Sequence, residues 1–388
     1  VIQYTNLIKK KLRMGKIYTA LGLMCGTSGD GIDVSIISSD GIDEYTEILN
    51  KYFKYDPKIY QNLHNLRDKI IKLDDLEKNK IEIGYLEKEI TLFHAKVVKE
   101  ILESNDHKID FIGFHGQTLY HNALEKISKQ IGDGNLLSQL SKKTVIYNFR
   151  QNDIKNGGQG APLAPVFHRL LIKQKKIDLP VCILNIGGIS NVTVIHENDI
   201  KSFSSRDLGP GNCLIDEWIR NNTKNEFDYN GEIAKKGKIN KLTLNQALDN
   251  FYSTTVQNTQ SYDTKDFDLG FVRGLNFEDG AATLTEYTAS IIGEGLLNCL
   301  SSKKDESWKV LVCGGGRKNK TLIDSINNKI YNNLIIQSID DYGIDGDYVE
   351  SQTFAYLAIR SFINLPISFP STTGCKEPTT GGELVKNF

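Results

Sequence analysis

Three stretches of this chain set glycine beside hydroxyl, amide or carboxylate side chains. The first is Gly26-Thr27-Ser28-Gly29-Asp30-Gly31-Ile32-Asp33. Its glycines leave backbone N–H groups unshielded, and clustered N–H groups form a concave site for phosphate oxygens. Thr27 and Ser28 add hydroxyl donors. A carboxylate beside phosphate is repulsive unless a cation intervenes, so Asp30 and Asp33 are candidate ligands of a bridging Mg2+. The second stretch, Gly187-Gly188-Ile189-Ser190-Asn191, repeats the device, with Gly187, Gly188 and Asn191 as its phosphate-facing positions. The third, Gly314-Gly315-Gly316, is bare enough for the flat ring of a nucleoside to approach the backbone. Each stretch alone reads equally as a turn of small residues. None is a G-x-x-x-x-G-K-[ST] phosphate loop or a dinucleotide fingerprint.

A fourth stretch, Asp207-Leu208-Gly209-Pro210-Gly211-Asn212, places an acid before an expected tight Gly-Pro-Gly turn. An aspartate aimed in this way suits a general base, although a turn-forming aspartate has the same look. Gly209, Gly211 and Asn212 join the candidate nucleotide positions. His115-Gly116-Gln117-Thr118 ends an expected strand, and Arg150 and Asp153 precede Gly157-Gly158-Gln159-Gly160. Amide, hydroxyl and guanidinium groups suit a hydroxylated, carboxylated ligand. His115 also reads as an ordinary structural histidine. The other histidines form no pattern, and Trp218 and Trp308 read as packing.

Elements must position these groups. Ile17 to Cys25, Ile32 to Ser38 and Tyr45 to Phe53 read as strands, as do Asp110 to His115 and Thr144 to Phe149. The charged segment Pro57 to Ser104 predicts two helices, the second carrying Leu86, Ile90, Phe93 and Val97 on one face. A helix is expected over Pro165 to Ile172. Val181 to Ile186 and Ile189 to Ile195 are strands flanking the second glycine tip. A helix over Ala281 to Leu300, a strand over Val310 to Cys313 and a closing helix over Asp347 to Phe362 complete the pattern. Strand, glycine tip and returning strand occur near the start of each half, at Gly26 and at Gly187. That repeat predicts two similar α/β domains facing each other across a cleft, with the division set at residues 1–175 and 176–388.

Composition excludes several classes. The 388 residues carry 47 basic and 48 acidic side chains, a formal net charge of −1. A nucleic-acid binder needs a basic surplus to displace phosphate counterions. No apolar run approaches the roughly 20 residues that cross a bilayer. Val1 to Lys16 reads as an irregular or helical extension and not a secretory signal. Six scattered cysteines form no C-x-x-C pair, so neither a zinc site nor a disulfide scaffold is signalled, and a cytoplasmic setting is expected.

In combination, the motifs resemble the anhydro-N-acetylmuramic acid kinases of the sugar kinase, Hsp70 and actin superfamily. The markers run in order from about Leu21 to about Gly382: Gly26 to Asp33, His115 to Thr118, Phe149-Arg150 with Asp153, and Gly157 to Pro162. They continue with Asn185 to Asn191, Asp207 with Gly209 to Asn212, Gly314 to Gly316, and Asp347 with Glu350. The resemblance implies two RNase H-like (actin-like ATPase) domains with a nucleotide cleft between them, and a homodimer. It implies ATP and Mg2+ as cofactors and an amino sugar as substrate. The implied reaction joins ATP, water and 1,6-anhydro-N-acetylmuramic acid to give N-acetylmuramic acid 6-phosphate and ADP, in peptidoglycan recycling. By position, Asp207 matches the family's base, Gly26 to Asp33 its ATP-phosphate loop, and Arg150 and Glu350 its sugar pocket.

The chain departs from the family pattern at several places. Gly29 stands where a larger residue is usual, which predicts a looser loop. Asn148 replaces an aspartate, Cys25 a serine and Leu208 a threonine, and Thr264 to Phe267 only loosely echoes a Ser-Thr-Gly-Arg segment. Two alternatives stay open: a kinase of the same fold acting on another sugar or a carboxylate, and a non-catalytic ATP-binding module.

Overall fold

A computed structural model describes residues 15–197, 202–254, 261–300, 307–331 and 333–388. The N-terminal extension expected over Val1 to Lys16 therefore lies outside the described residues up to position 14. The chain forms two compact units. One runs to Ile177 and takes in Tyr348–Phe388, and the other is Asp178–Asp347.

The first unit opens with β1 (Tyr18–Cys25), β2 (Gly31–Ser39) and β3 (Tyr45–Lys54), followed by α1 (Pro57–Lys69), α2 (Leu73–Lys78) and α3 (Lys80–Glu103). It continues through β4 (Phe111–Asn122), β5 (Ile127–Ile131), α4 (Gly134–Ser141), β6 (Thr144–Tyr147), α5 (Gln151–Lys155) and α6 (Pro165–Gln174). The second unit holds β7 (Val181–Ile186), β8 (Ile189–Ile195), β9 (Phe203–Pro210), α7 (Cys213–Asn222), α8 (Lys241–Thr254) and α9 (Phe277–Leu300). It closes with β10 (Trp308–Cys313), α10 (Lys320–Asn327) and β11 (Leu334–Ser338). The chain then returns to the first unit as α11 (Val349–Phe362), α12 (Pro370–Thr373) and β12 (Glu383–Val385).

The two sheets share one topology. The first has the order β12-β6-β4-β1-β2-β3, with β5 paired to β4, and the second β11-β10-β7-β8-β9. In each, an antiparallel three-strand meander (β1–β2–β3, β7–β8–β9) is extended by parallel strands on the side of its first strand. Central strands are covered on both faces, so β1 and β7 are buried almost throughout. The glycine-tip repeat predicted two similar α/β units, and the shared topology is the RNase H-like pattern that the family resemblance implied.

One boundary differs from expectation. Tyr348–Phe388, read as part of the second half, belongs to the first unit. The cause lies in two glycines. A Cβ at Gly22 on β1 or Gly113 on β4 would strike the backbone oxygens of Ser351 and Phe354, so α11 lies directly on the sheet there. Further on, β12 pairs antiparallel with β6.

Some elements were not legible. The expected strand ending at His115 runs on to Asn122. Gly116 takes φ +76°, and the chain beyond it pairs with β5. Three helices stand where two were expected, and β5, β9 and α7 went unread. Among the described residues, all six cysteines are free thiols, and no helix is long and apolar enough to cross a membrane.

Candidate active site

The second unit gathers its sequence-predicted positions around one strand end. Asp207 is buried on β9, not ahead of a turn as expected: Gly209 and Pro210 continue the strand. Proline is tolerated there because β9 is the edge of its sheet. Register places Asp207 opposite Asn191, Asn191 opposite Asn185 and Asn185 opposite Cys313. Partners in register share a face, so a polar row crosses the strand ends with the aspartate at its edge. The Tyr262 N–H donates to Asp207 Oδ2 at 2.8 Å and holds the carboxylate in place. Tyr262 adjoins the segment Thr264 to Phe267, whose family echo was loose, and no motif pointed to it.

The Gly187–Gly188 tip is closed by main-chain bonds. Gly211 N–H and Cys213 N–H donate to Gly188 O at 2.9 and 3.2 Å, and Asn212 N–H donates to Gly187 O at 2.7 Å. Asn212 Nδ2 donates to Ile186 O at 3.3 Å. A Cβ at Gly211 would strike Gly187 O. Gly314, at φ +77°, leads into a short 3-10 turn over Gly315–Lys318. Cβ atoms at Gly314 and Gly316 would meet Ile186, so this third glycine stretch lies against the base of the same tip. Arg317 braces it, donating to Gly314 O at 3.1 Å, Asp347 Oδ1 at 2.6 Å and Asp340 Oδ2 at 2.7 Å. Gly187, Gly188, Asn191, Asp207, Gly209, Gly211, Asn212 and Gly314 to Gly316 thus form one neighbourhood.

The first unit builds two linked clusters. At the β1–β2 tip, Thr27 and Ser28 are exposed. Ser28 Oγ donates to Asp30 Oδ1 at 2.5 Å. Asp30 and Asp33 both lie close enough to Cys25 to disfavour its thiolate, and burial with these charges raises that thiol to about 12. Mg2+ keeps several waters and takes one or two carboxylates plus phosphate oxygens, so this acidic pair fits a metal arriving with a nucleotide. Among the described residues, no group of three or more ligating side chains forms a closed metal cage. Ile32, named with the loop, is fully buried and serves packing.

Gly29 overturns the expectation of a looser loop. It is buried at φ +65°, and a Cβ there would lie 2.7 Å from Leu63 Cδ2 and 3.2 Å from the Arg67 guanidinium. Glycine lets helix α1 press against the tip. Cys25 Sγ sits within 3.1 Å of both Tyr55 OH and His94 Nε2, in a buried cluster below.

Beside this tip, Gln117 is fully buried and donates from Nε2 to Gly26 O at 3.0 Å. Among the described residues its Oε1 has no partner, which leaves an acceptor for a bound donor. Thr118 Oγ1 accepts from Gln130 Nε2 at 3.2 Å.

The second cluster centres on Arg150. Its NH2 donates to His115 Nε2 at 2.9 Å, and its NH1 to Gly160 O at 2.8 Å. His115 Nδ1 donates to Gly116 O at 2.8 Å, which fixes the neutral tautomer. Burial, reinforced by Arg150, holds His115 well below 6.5. Half-buried Glu350 lies in the first turn of α11; burial raises its carboxyl and the Arg150 charge opposes the rise. Asp153 was expected to meet substrate. Its carboxylate is buried and accepts from Gly160 N–H at 2.8 Å and Thr373 Oγ1 at 2.6 Å, so it shapes the loop that seats Arg150. Asn148 sits at φ +57° and donates to Glu383 at 2.6 Å. An aspartate there would face that glutamate.

Duplicated α/β units with glycine-rich tips define an actin-like ATPase fold with the equipment of a phosphotransferase. Comparison with known sequences narrows the class. The family model described as anhydro-N-acetylmuramic acid kinase matches residues 18–387. A protein of that name from Pelagibacter ubique is 56% identical over 375 residues, covering 97% of this chain and 100% of that one. One from Agrobacterium fabrum is 36% identical and covers 96% and 100%; one from Zymomonas mobilis is 35% identical and covers 94% and 99%. The chain belongs to the anhydro-N-acetylmuramic acid kinase family.

Proposed function

We propose that this protein uses ATP to open 1,6-anhydro-N-acetylmuramic acid with water and to phosphorylate the freed O6, giving N-acetylmuramic acid 6-phosphate and ADP for peptidoglycan sugar recycling. Asp207 is the base. It takes a proton from water as the water attacks C1. The C1–O6 bond breaks, and O6 attacks the γ-phosphate with ADP leaving. Backbone N–H groups of the Gly26–Gly29 and Gly187–Gly188 tips bind phosphate oxygens. Arg150 and Glu350 orient the sugar, with His115 kept neutral as an acceptor that aims the guanidinium. Asp30 and Asp33 would hold Mg2+, which when bound would supply positive charge beside the phosphate oxygens. The same reading carries a homodimer in the cytoplasm.

The observation that carries the assignment is the buried Asp207 carboxylate, pinned by the Tyr262 N–H at one end of the Asn185–Asn191 row. A base needs a fixed direction and a dry setting, and this one has both. Two measurements test it. Incubation with ATP, Mg2+ and the anhydro sugar in ¹⁸O-water should yield a phosphorylated product labelled at C1. Asp207→Asn should fold, bind ATP and lose turnover by about 10²–10⁴-fold, the usual range for a general base. Near-normal turnover of that variant, or an unlabelled product, refutes the mechanism.

A further inference from the structure

The face of helix α1 that meets the first glycine tip is built from Leu63, His64 and Arg67. Residues three and four apart on a helix are neighbours, so these side chains form one patch. Leu63 fills the space that Gly29 leaves open. His64 Nε2 donates to Ser28 O at 3.1 Å. Arg67 NH1 donates to Thr27 O at 2.6 Å, and its NH2 to Thr118 O at 2.8 Å. One guanidinium therefore ties the β1–β2 tip to strand β4. On the far side of the tip, Gly26 O accepts from Gln117 Nε2 at 3.0 Å and from Gly29 N–H at 3.2 Å.

We infer that Arg67 is a positioning residue for phosphate binding, acting through the peptide groups of Thr27 and Ser28 and not by touching the nucleotide. A trans peptide is planar, with its C=O and N–H pointing in opposite directions. Pinning the Thr27 carbonyl to Arg67 turns the Ser28 N–H away from the helix. Pinning the Gly26 carbonyl to Gln117 turns the Thr27 N–H away from that glutamine. Both amides belong to exposed residues, where an anion can reach them. A charged donor strengthens such a bond relative to a neutral one, and Arg67 also places a positive charge behind the tip. The fork supplies two donors at fixed separation, which a lysine cannot copy. The inference rests on reading Gly26 to Asp33 as the phosphate loop.

The test compares Arg67→Ala and Arg67→Lys with the unaltered chain. Amide hydrogen exchange is followed without nucleotide, and ATP affinity by calorimetry. In Arg67→Ala, exchange at Gly29, whose N–H bonds Gly26 O across the tip, should quicken while Gly187 to Ser190 stays unchanged. ATP affinity should fall about tenfold, equivalent to about 1.4 kcal/mol, and KM for the sugar should stay within about twofold of the unaltered value, because the substitution leaves the Arg150 cluster intact. Arg67→Lys should recover part of the loss. Unchanged exchange and affinity overturn the inference, as does faster exchange spread evenly over the first unit, which marks a merely structural role. A chain that binds ATP yet leaves the anhydro sugar intact removes the functional reading and leaves the exchange test of the clasp standing.

Discussion

The two glycine tips occupy the same place in the same topology and are held by different means. The Gly26–Gly29 tip is held largely from outside by side chains, with Arg67, His64 and Gln117 each donating to a tip carbonyl. The Gly187–Gly188 tip is held by the main chain, through the N–H groups of Gly211, Asn212 and Cys213. A turn clasped by side chains can be tuned by substitution on a neighbouring helix. A turn clasped by peptide groups tolerates change only where the chain has room. The duplication thus preserved a shape while its fastening diverged.

The histidines give the largest contrast between the units. His94, His115 and His168 are buried and neutral in the first unit: burial lowers His94 to about 4 and His168 to about 3, and His115 lies well below 6.5. Unfolded histidines titrate near 6.5, so below that pH the unfolded chain binds more protons than the folded one and stability falls with pH. From pH 7.5 to 5 the loss should be about 2 kcal/mol for each of His94 and His168, with His115 adding to it in the same direction. Trp218 and Trp308 both lie in the second unit, so tryptophan fluorescence reports that unit alone. Hydrogen exchange should show the first unit opening at a pH where that fluorescence still reads native. Simultaneous loss breaks the contrast.

Gly211→Ala tests the main-chain clasp. Its Cβ meets Gly187 O, a backbone atom that cannot swing aside. Overpacking of this kind costs about 3 kcal/mol at the upper end of the usual range, and urea unfolding followed by tryptophan fluorescence should show it. A cost near zero would mean that the second tip is as adjustable as the first.

Gly29→Ala makes the smallest change. The left-handed conformation costs an L-residue about 1–2 kcal/mol, while the neighbours of Gly29 are the side chains of Leu63, Arg67 and His64, which can shift. Urea unfolding and hydrogen exchange at the first tip should show a modest loss. A gain in stability would restore the idea that glycine loosens this loop.

Much of this was legible in the sequence. The glycine tips, their flanking strands and the duplication follow from local pattern, because tight turns need glycine and buried strands need apolar runs. Asp207 was singled out from its neighbours, but the turn assigned to Gly209 and Pro210 was wrong, since edge position, a tertiary fact, admits proline to a strand. Arg67, His64 and Tyr262 were missed. Their contacts depend on where α1 and the segment near Tyr262 lie in three dimensions, and nothing local to Arg67 separates it from other arginines on charged helices. Asp153 was misread for the opposite reason: an acid near a glycine loop looks the same whether it faces ligand or backbone.

The return of the chain to its first unit has a consequence for synthesis. Thr373 bonds Asp153, Asn152 Nδ2 donates to Thr380 O, and Glu383 bonds Asn148, so both ends of the Arg150 loop lean on residues made after the entire second unit. A ribosome that has released residues 178–347 has delivered a contiguous unit able to fold, while the segment around Arg150 still waits for its supports. The surroundings of Arg150 are therefore assembled last, and a nascent chain halted before residue 373 has all of the second unit but lacks part of the first.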